Sequence, residues 1–144
     1  MINKNYERLP HEIFALVEKA KNQSERVKIL LQYESYTLKT ILQAAFNKNI
    51  IFDLPDGAPP YTPDGGAPGQ QLQSLKKQIN ILGKFVVGYT AISKIKKETH
   101  FIKLLENVFP KDAEILIAMK DKKLSGLYPT LTRAVVEKAF PQIL

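Results

Sequence analysis

The chain has 144 residues and a formal net charge of +7, with 44% hydrophobic and 24% charged residues, the balance of a globular domain rather than of a disordered chain. At this length folding hides about 68–70% of the surface that the unfolded chain exposes, enough for one shared core. Cysteine is absent, which excludes disulfides, thiolate nucleophiles and Cys-ligated metal; the opening MINKNYERLPHE has no apolar leader run, and no stretch is apolar over about eighteen residues, so the expectation is a cytoplasmic protein with no membrane partner.

In chain order, Pro10 opens a helix in which Ile13, Leu16, Val17 and Ala20 recur at helical spacing, with Lys19 and Lys21 suited to its last turn. Asn22 and Glu25 have capping-box spacing ahead of Val27, Leu30 and Leu31. Leu38, Ile41, Leu42, Ala45 and Phe46 form the cleanest apolar stripe, ended by Asn47 to Asn49. Ile50, Ile51 and Phe52 are too few for a helix and suit a strand or a buried extended anchor.

The stretch LPDGAPPYTPDGGAPGQQ then interrupts the helical pattern. Nine of the fifteen residues from Pro55 to Gly69 are Pro or Gly, so neither a helix nor a central strand runs through it. Asp56 and Asp64 each precede a glycine and read as turn residues. Pro59, Pro60, Tyr61, Thr62 and Pro63 make a stiff extended segment that could present a polyproline surface to a partner. Gly65-Gly66-Ala67-Pro68-Gly69 is no phosphate loop, because its proline has no N–H to donate and no lysine lies close by.

Beyond the loop, Leu72, Leu75, Ile79 and Leu82 predict a helix stopped at Gly83. Phe85 to Lys97 is rich in β-branched and aromatic residues and contains Gly88; both strand and helix fit, and the spacing of Val87, Ala91 and Ile95 favours helix. Phe101, Leu104, Leu105 and Val108 define another helical face closed by Pro110. Asp112 is placed to cap a helix containing Ile115, Leu116 and Met119, and Thr130 to cap a last one containing Leu131, Ala134, Val135 and Ala139, stopped by Pro141. The expected fold is all-α: about seven short helices around one core, with an N-terminal part over 1–54, the loop over 55–71 and a basic helical part over 72–144.

Charge is uneven along this plan. Residues 75–123 carry eleven Lys or Arg against five acids, whereas residues 1–54 carry eight against six. Two clusters stand out, Lys94-Ile95-Lys96-Lys97 and Lys120-Asp121-Lys122-Lys123. With Lys84 and Lys103 they are the candidate contacts for nucleic acid or another anion, through phosphate neutralisation and counterion release. A plainer reading stays open, since lysines in a last turn complement the helix dipole without any ligand. His11 and His100 are far apart and lack metal-ligand spacing. No G-x-S-x-G elbow occurs, and Gly83-Lys84-Phe85 lacks the upstream glycine and following Ser or Thr of a P-loop. No catalytic residue, cofactor or metal is therefore expected, and the protein is expected not to be an enzyme.

The segments LPDGAPPYTPDGGAPG, FIKLLENVFPKDAEILIAMKDKKL and LTRAVVEKAFP together resemble an uncharacterised family of small proteins encoded by T4-like tailed phages of marine bacteria. The resemblance covers about residues 50 to 141 and rests on Leu54, Pro55, Gly57, Pro59 to Pro63, Leu104 to Glu106 and Pro110 to Glu114. It implies synthesis in a host bacterial cytoplasm and carries no catalytic residues over. The leading expectation is an accessory protein that binds nucleic acid, or a host complex that handles it, through lysines. A second is an assembly module, homo-oligomeric or host-bound, that uses the Pro-rich loop as an arm. A third is an anti-defence protein that captures a small anionic nucleotide between the loop and nearby lysines.

Overall fold

Pro10 supplies the fixed φ and the missing N–H of a first helical turn, and Glu12 accepts the Leu9 N–H at 2.8 Å, so helix α1 (Pro10–Lys19) begins where the proline predicts. The computed structural model describes residues 8–63 and 74–144. Expectations placed on Asp64, Gly65 to Gly69 and Leu72 lie outside the described residues.

Asn22 caps α2 (Gln23–Gln32) by accepting the Glu25 N–H at 2.9 Å, and Ser35 caps α3 (Tyr36–Phe46) by accepting the Leu38 N–H at 3.0 Å. The expected stripe of α3 is its core face, with Leu38, Ile41, Leu42 and Ala45 buried. On the far side of the loop, α4 (Leu75–Gln78) continues as a 3-10 turn over Ile79–Phe85 instead of an α-helix stopped at Gly83. The reason lies in spacing: Ile79, Leu82 and Phe85 are all buried and recur every three residues, the period at which a 3-10 helix stacks its side chains on one side.

The helix favoured over Phe85 to Lys97 is a second correction. Val86 pairs with Phe52 in an isolated antiparallel bridge, closed by Asp53 N–H to Phe85 O at 2.7 Å and Val87 N–H to Ile51 O at 2.8 Å. Gly88 then turns the chain at φ +101°, which a side chain would resist, and the helix starts only where Ser93 accepts the Lys96 N–H. The result is α5 (Lys94–Asn107), and Ile50 to Phe52 is the extended anchor expected of it.

Pro110 opens a helix instead of closing one: α6 (Pro110–Lys120) follows after a break of two residues. It is the central helix, packed against α1, α3 and α5. Asp112 does not cap it. At 0% exposure its Oδ1 receives both the backbone N–H of His11 at 3.1 Å and the His11 ring Nδ1 at 2.9 Å, so α1 is bonded to the first turn of α6. Burial raises the Asp112 pKa above the ordinary 3.8, with the His11 bonds acting in the opposite sense.

The chain ends in α7 (Leu124–Leu127), α8 (Arg133–Ala139) and a 3-10 turn over Pro141–Ile143. Thr132, not Thr130, caps α8 by accepting the Val135 N–H; Thr130 donates its N–H and hydroxyl to Glu18 at 2.8 and 2.7 Å, a tie back to α1. The described residues thus form eight α-helices and two 3-10 turns with no sheet, the all-α class expected. One core runs through them, with edge-on ring pairs Phe14–Tyr128 and Phe85–Phe101. Among the described residues no helix is long and apolar enough to cross a membrane.

Candidate anion-binding groove and lysine surface

Two of the eight lysines named from sequence belong to the interior. Lys97 shares its helical face with Phe101 and Leu104, four and seven residues on, and Lys120 shares one with Leu116 and Ala113, so the core periodicity that buries those side chains also takes in the lysines. Lys97 is 3% exposed; its Nζ donates to Asp53 Oδ2 at 3.1 Å and to Val86 O at 3.2 Å. Lys120 is 7% exposed and donates to Pro55 O at 2.8 Å and Asp121 Oδ1 at 2.7 Å. Both are internal ties, which removes them from a surface that meets a polyanion.

Their partners explain the arrangement. All the bonds end on the segment that leads into the Pro-rich loop, or on groups that hold it. Asp53 sits between Lys97 and Lys94, the latter at 3.6 Å, and these lysines, led by the Lys97 hydrogen bond, keep its carboxyl below the usual 3.8. Asp121 extends the chain of bonds by accepting the Gly57 N–H at 3.0 Å. Gly57 has φ +84°, the left-handed turn position that the Asp56-Gly57 pair predicts. Further along, the Thr62 N–H donates to Glu106 Oε2 at 2.9 Å, and Tyr61 is half-buried against the core, where burial raises its pKa. Pro59 is also half-buried, while Pro60 and Pro63 are exposed. The described part of the loop lies on the protein's own α5 and α6.

Lys122 has a different task. The end of α6 is a left-handed cap: Lys123 N–H reaches Ala118 O at 2.8 Å, Lys122 N–H reaches Met119 O at 3.1 Å, and Lys122 takes φ +59°. Glycine usually fills that position, because a β-carbon there costs about 1–2 kcal/mol. Here the side chain is put to use. Its Nζ donates to Ala44 O and Asn47 O, both at the C-terminal end of α3, and stands 5.9 Å from the centre of the Phe52 ring. Desolvation lowers its pKa from 10.5. Arg133 adds a second cation at the same helix end through Nη1 to Phe46 O.

These cations border a groove of about 480 Å³ between the end of α3, the start of the loop and the end of α6. Lys48, Lys122 and Arg133 line it, together with Phe46, Ile51, Phe52 and Leu54; Asp56, Lys120 and Asp121 complete the charged groups. Lys48 and Arg133 escaped the sequence reading. Arg133 left a legible trace: a cation in the first turn of a helix opposes the dipole, and it sits there because it is aimed at another helix's carbonyls. Lys48, alone after α3, left none.

The remaining candidates are on the surface. Lys84, Lys94, Lys96, Lys103 and Lys123 are exposed. On α5, Lys96, His100 and Lys103 follow one another at i, i+4 and i+7 and so lie along one strip of the helix. Among the described residues no group of three His, Cys, Asp or Glu could hold a metal ion. Burial and nearby acids push the Tyr128 hydroxyl up to about 12.

An all-helical domain with a cation-lined groove is the class that this geometry defines. The chain belongs to the family described as "Family of unknown function (DUF6433)", whose sequence model matches residues 13–126. No curated protein and no solved structure matches the chain.

Proposed function

We propose that this is a non-enzymatic accessory protein of a T4-like tailed phage of marine bacteria, active in the host cytoplasm, and that it binds nucleic acid through the exposed lysines of α5 and their neighbours. The observation that carries the reading is the Lys96, His100, Lys103 strip: it runs about two turns along α5 with both lysines exposed and His100 half-buried, Glu98 falls outside it, and Glu106, three residues past Lys103, is engaged by the Thr62 N–H. A strip of this kind meets phosphates without reading bases, so the binding is salt-sensitive and largely indifferent to sequence. Lys84 and Lys123 are further exposed cations able to add to the field, and the net charge of +7 favours encounter with a polyanion.

The arm reading is weaker, because Tyr61 and Thr62 already have partners within the chain. Binding of labelled single- and double-stranded DNA and of RNA, followed from about 50 to about 200 mM salt, tests the proposal, with the affinity expected to fall steeply over that range. Replacing Lys96 and Lys103 by alanine should weaken binding for every sequence and lower the salt slope by about 1 for each phosphate that is no longer neutralised. Absence of any shift at the low-salt end with all three probes ends the reading.

A further inference from the structure

Lys48, Lys122 and Arg133 are not ion-paired to any carboxylate among the described residues, although they border one groove. Four lysines do meet carboxylates: Lys97 and Lys94 with Asp53, Lys39 with Glu34, and, in the groove itself, Lys120 with Asp121. Asp121 is thereby neutralised, and it also accepts the Gly57 N–H, which leaves Asp56 as the one unmatched carboxylate against three cations lining the groove. Lys122 and Arg133 are also fixed in place by the carbonyls at the end of α3. Carbonyl dipoles at a helix C-terminus orient a cation and offset only part of its charge, so a bound anion would meet preset donors that keep net positive charge and need to order little side chain.

The backbone agrees with this placement. Lys122 occupies a left-handed position that glycine fills at lower cost, and the side chain kept there is the one tied to the end of α3 at the groove. The rest of the groove is apolar, with Phe46, Ile51 and Leu54 beside the cations; Ile51 is 58% exposed although it flanks the buried Phe52. A volume of about 480 Å³ lies within the usual range for a small-molecule site. Inorganic phosphate would use the cations and leave the apolar wall bare.

We propose that this groove binds a nucleoside phosphate, with the phosphate held by Lys48, Lys122 and Arg133 and the base laid against Phe46, Ile51 and Leu54. The site stands apart from the α5 strip, and it can exist whether or not the nucleic-acid reading holds. The same chemistry is offered by a free nucleotide and by the phosphorylated end of a strand.

The test is titration of the full chain with adenosine 5′-monophosphate, with adenosine and with inorganic phosphate at low salt, followed by calorimetry and by amide chemical shifts. The proposal expects saturable nucleotide binding, shifts centred on residues 44–57, 120–123 and 133, and at least about tenfold weaker binding of adenosine and of phosphate alone. Lys48→Ala should weaken the nucleotide about tenfold with no change in thermal unfolding, since Lys48 is exposed. The Lys96→Ala, Lys103→Ala variant should bind the nucleotide as the parent does, which separates this site from the α5 surface. Competition by a 5′-phosphorylated oligonucleotide, with none from its unphosphorylated twin, identifies strand ends as the source; absence of competition identifies the free nucleotide. Lack of saturation at millimolar nucleotide, phosphate binding as tightly as the nucleotide, or a Lys48→Ala variant of unchanged affinity would each overturn the proposal.

Discussion

KIKK at residues 94–97 and KDKK at residues 120–123 look like two copies of one basic patch, yet they sit at opposite ends of their helices and neutralise charge by different means. The first opens α5. Its inward lysine, Lys97, meets a carboxylate, Asp53, which Lys94 also reaches, so much of its charge is cancelled at once. The second closes α6. Its inward lysine, Lys120, has Asp121 and a backbone carbonyl, whereas Lys122 has carbonyls alone. Each cluster sets three lysines against one close carboxylate, but the first holds its carboxylate, Asp53, between two of them, whereas the second leaves Lys122 beside a groove with carbonyl partners alone. Basic residues in a row therefore do not make a binding patch by themselves; the partner that each one finds decides.

Removing Lys120 should break the comparison most severely. Lys120→Met keeps the apolar stem but removes the cation from a mostly buried Asp121, which keeps only the Gly57 N–H, and from Pro55 O, at a cost of about 3 kcal/mol, the lower end for breaking a buried pair. Chemical denaturation should show it as a lower midpoint with an unchanged slope. Lys97→Met should cost less, because Asp53 is partly open to water and keeps Lys94. Its signature is in pH. Asp53 has a folded pKa below the ordinary 3.8, so its contribution is present above that pH and is lost as pH falls through the folded value. The gap between parent and Lys97→Met should thus be widest near neutrality and shrink below pH 3.8 in thermal melts taken across the acid range. A gap that stays constant with pH would mean that Lys97 acts by packing alone.

The smallest effect sharpens the comparison at Lys122. Lys122→Ala loses the ties to α3 and keeps the left-handed β-carbon, whereas Lys122→Gly loses the same ties and relieves the backbone. The glycine variant should be the more stable of the two by about 1 kcal/mol, and close to the parent. Melting curves of the three proteins decide this. If alanine matches glycine, the backbone at Lys122 is not strained.

The helices with a single apolar stripe and a polar cap were legible from sequence. Pro10, Asn22 and Glu25 locate α1 and α2, and Leu38 to Phe46 give the buried face of α3, because caps and periodicity are local properties. The errors came where a distant partner decided. Asp112 and Thr130 look like caps, but His11 and Glu18 claim them across more than a hundred residues. Phe85 to Ser93 has enough apolar spacing for a helix, but backbone pairing with Ile51 to Asp53 and the turn at Gly88 override it. The candidate site was half legible. Lysine-rich runs pointed to Lys120, Lys122 and the α5 strip, but which lysine faces inward depends on Asp53, Pro55 and the end of α3, and Arg133 and Lys48 joined the groove only through folding.

The bond from His11 to Asp112 spans 101 residues, and α2 lies against α8 near the far end of the chain. On a ribosome moving at about 5–20 residues per second, α1 would leave the exit on the order of 5–20 s before the helix that receives it. α1 and α2 have each other to pack against early, but the faces that α1 and α3 turn to α6 and that α2 turns to α8 wait for those helices, and a fragment ending at residue 54 would lack both. Completion of the C-terminal helices is the step that makes the N-terminal ones a structure.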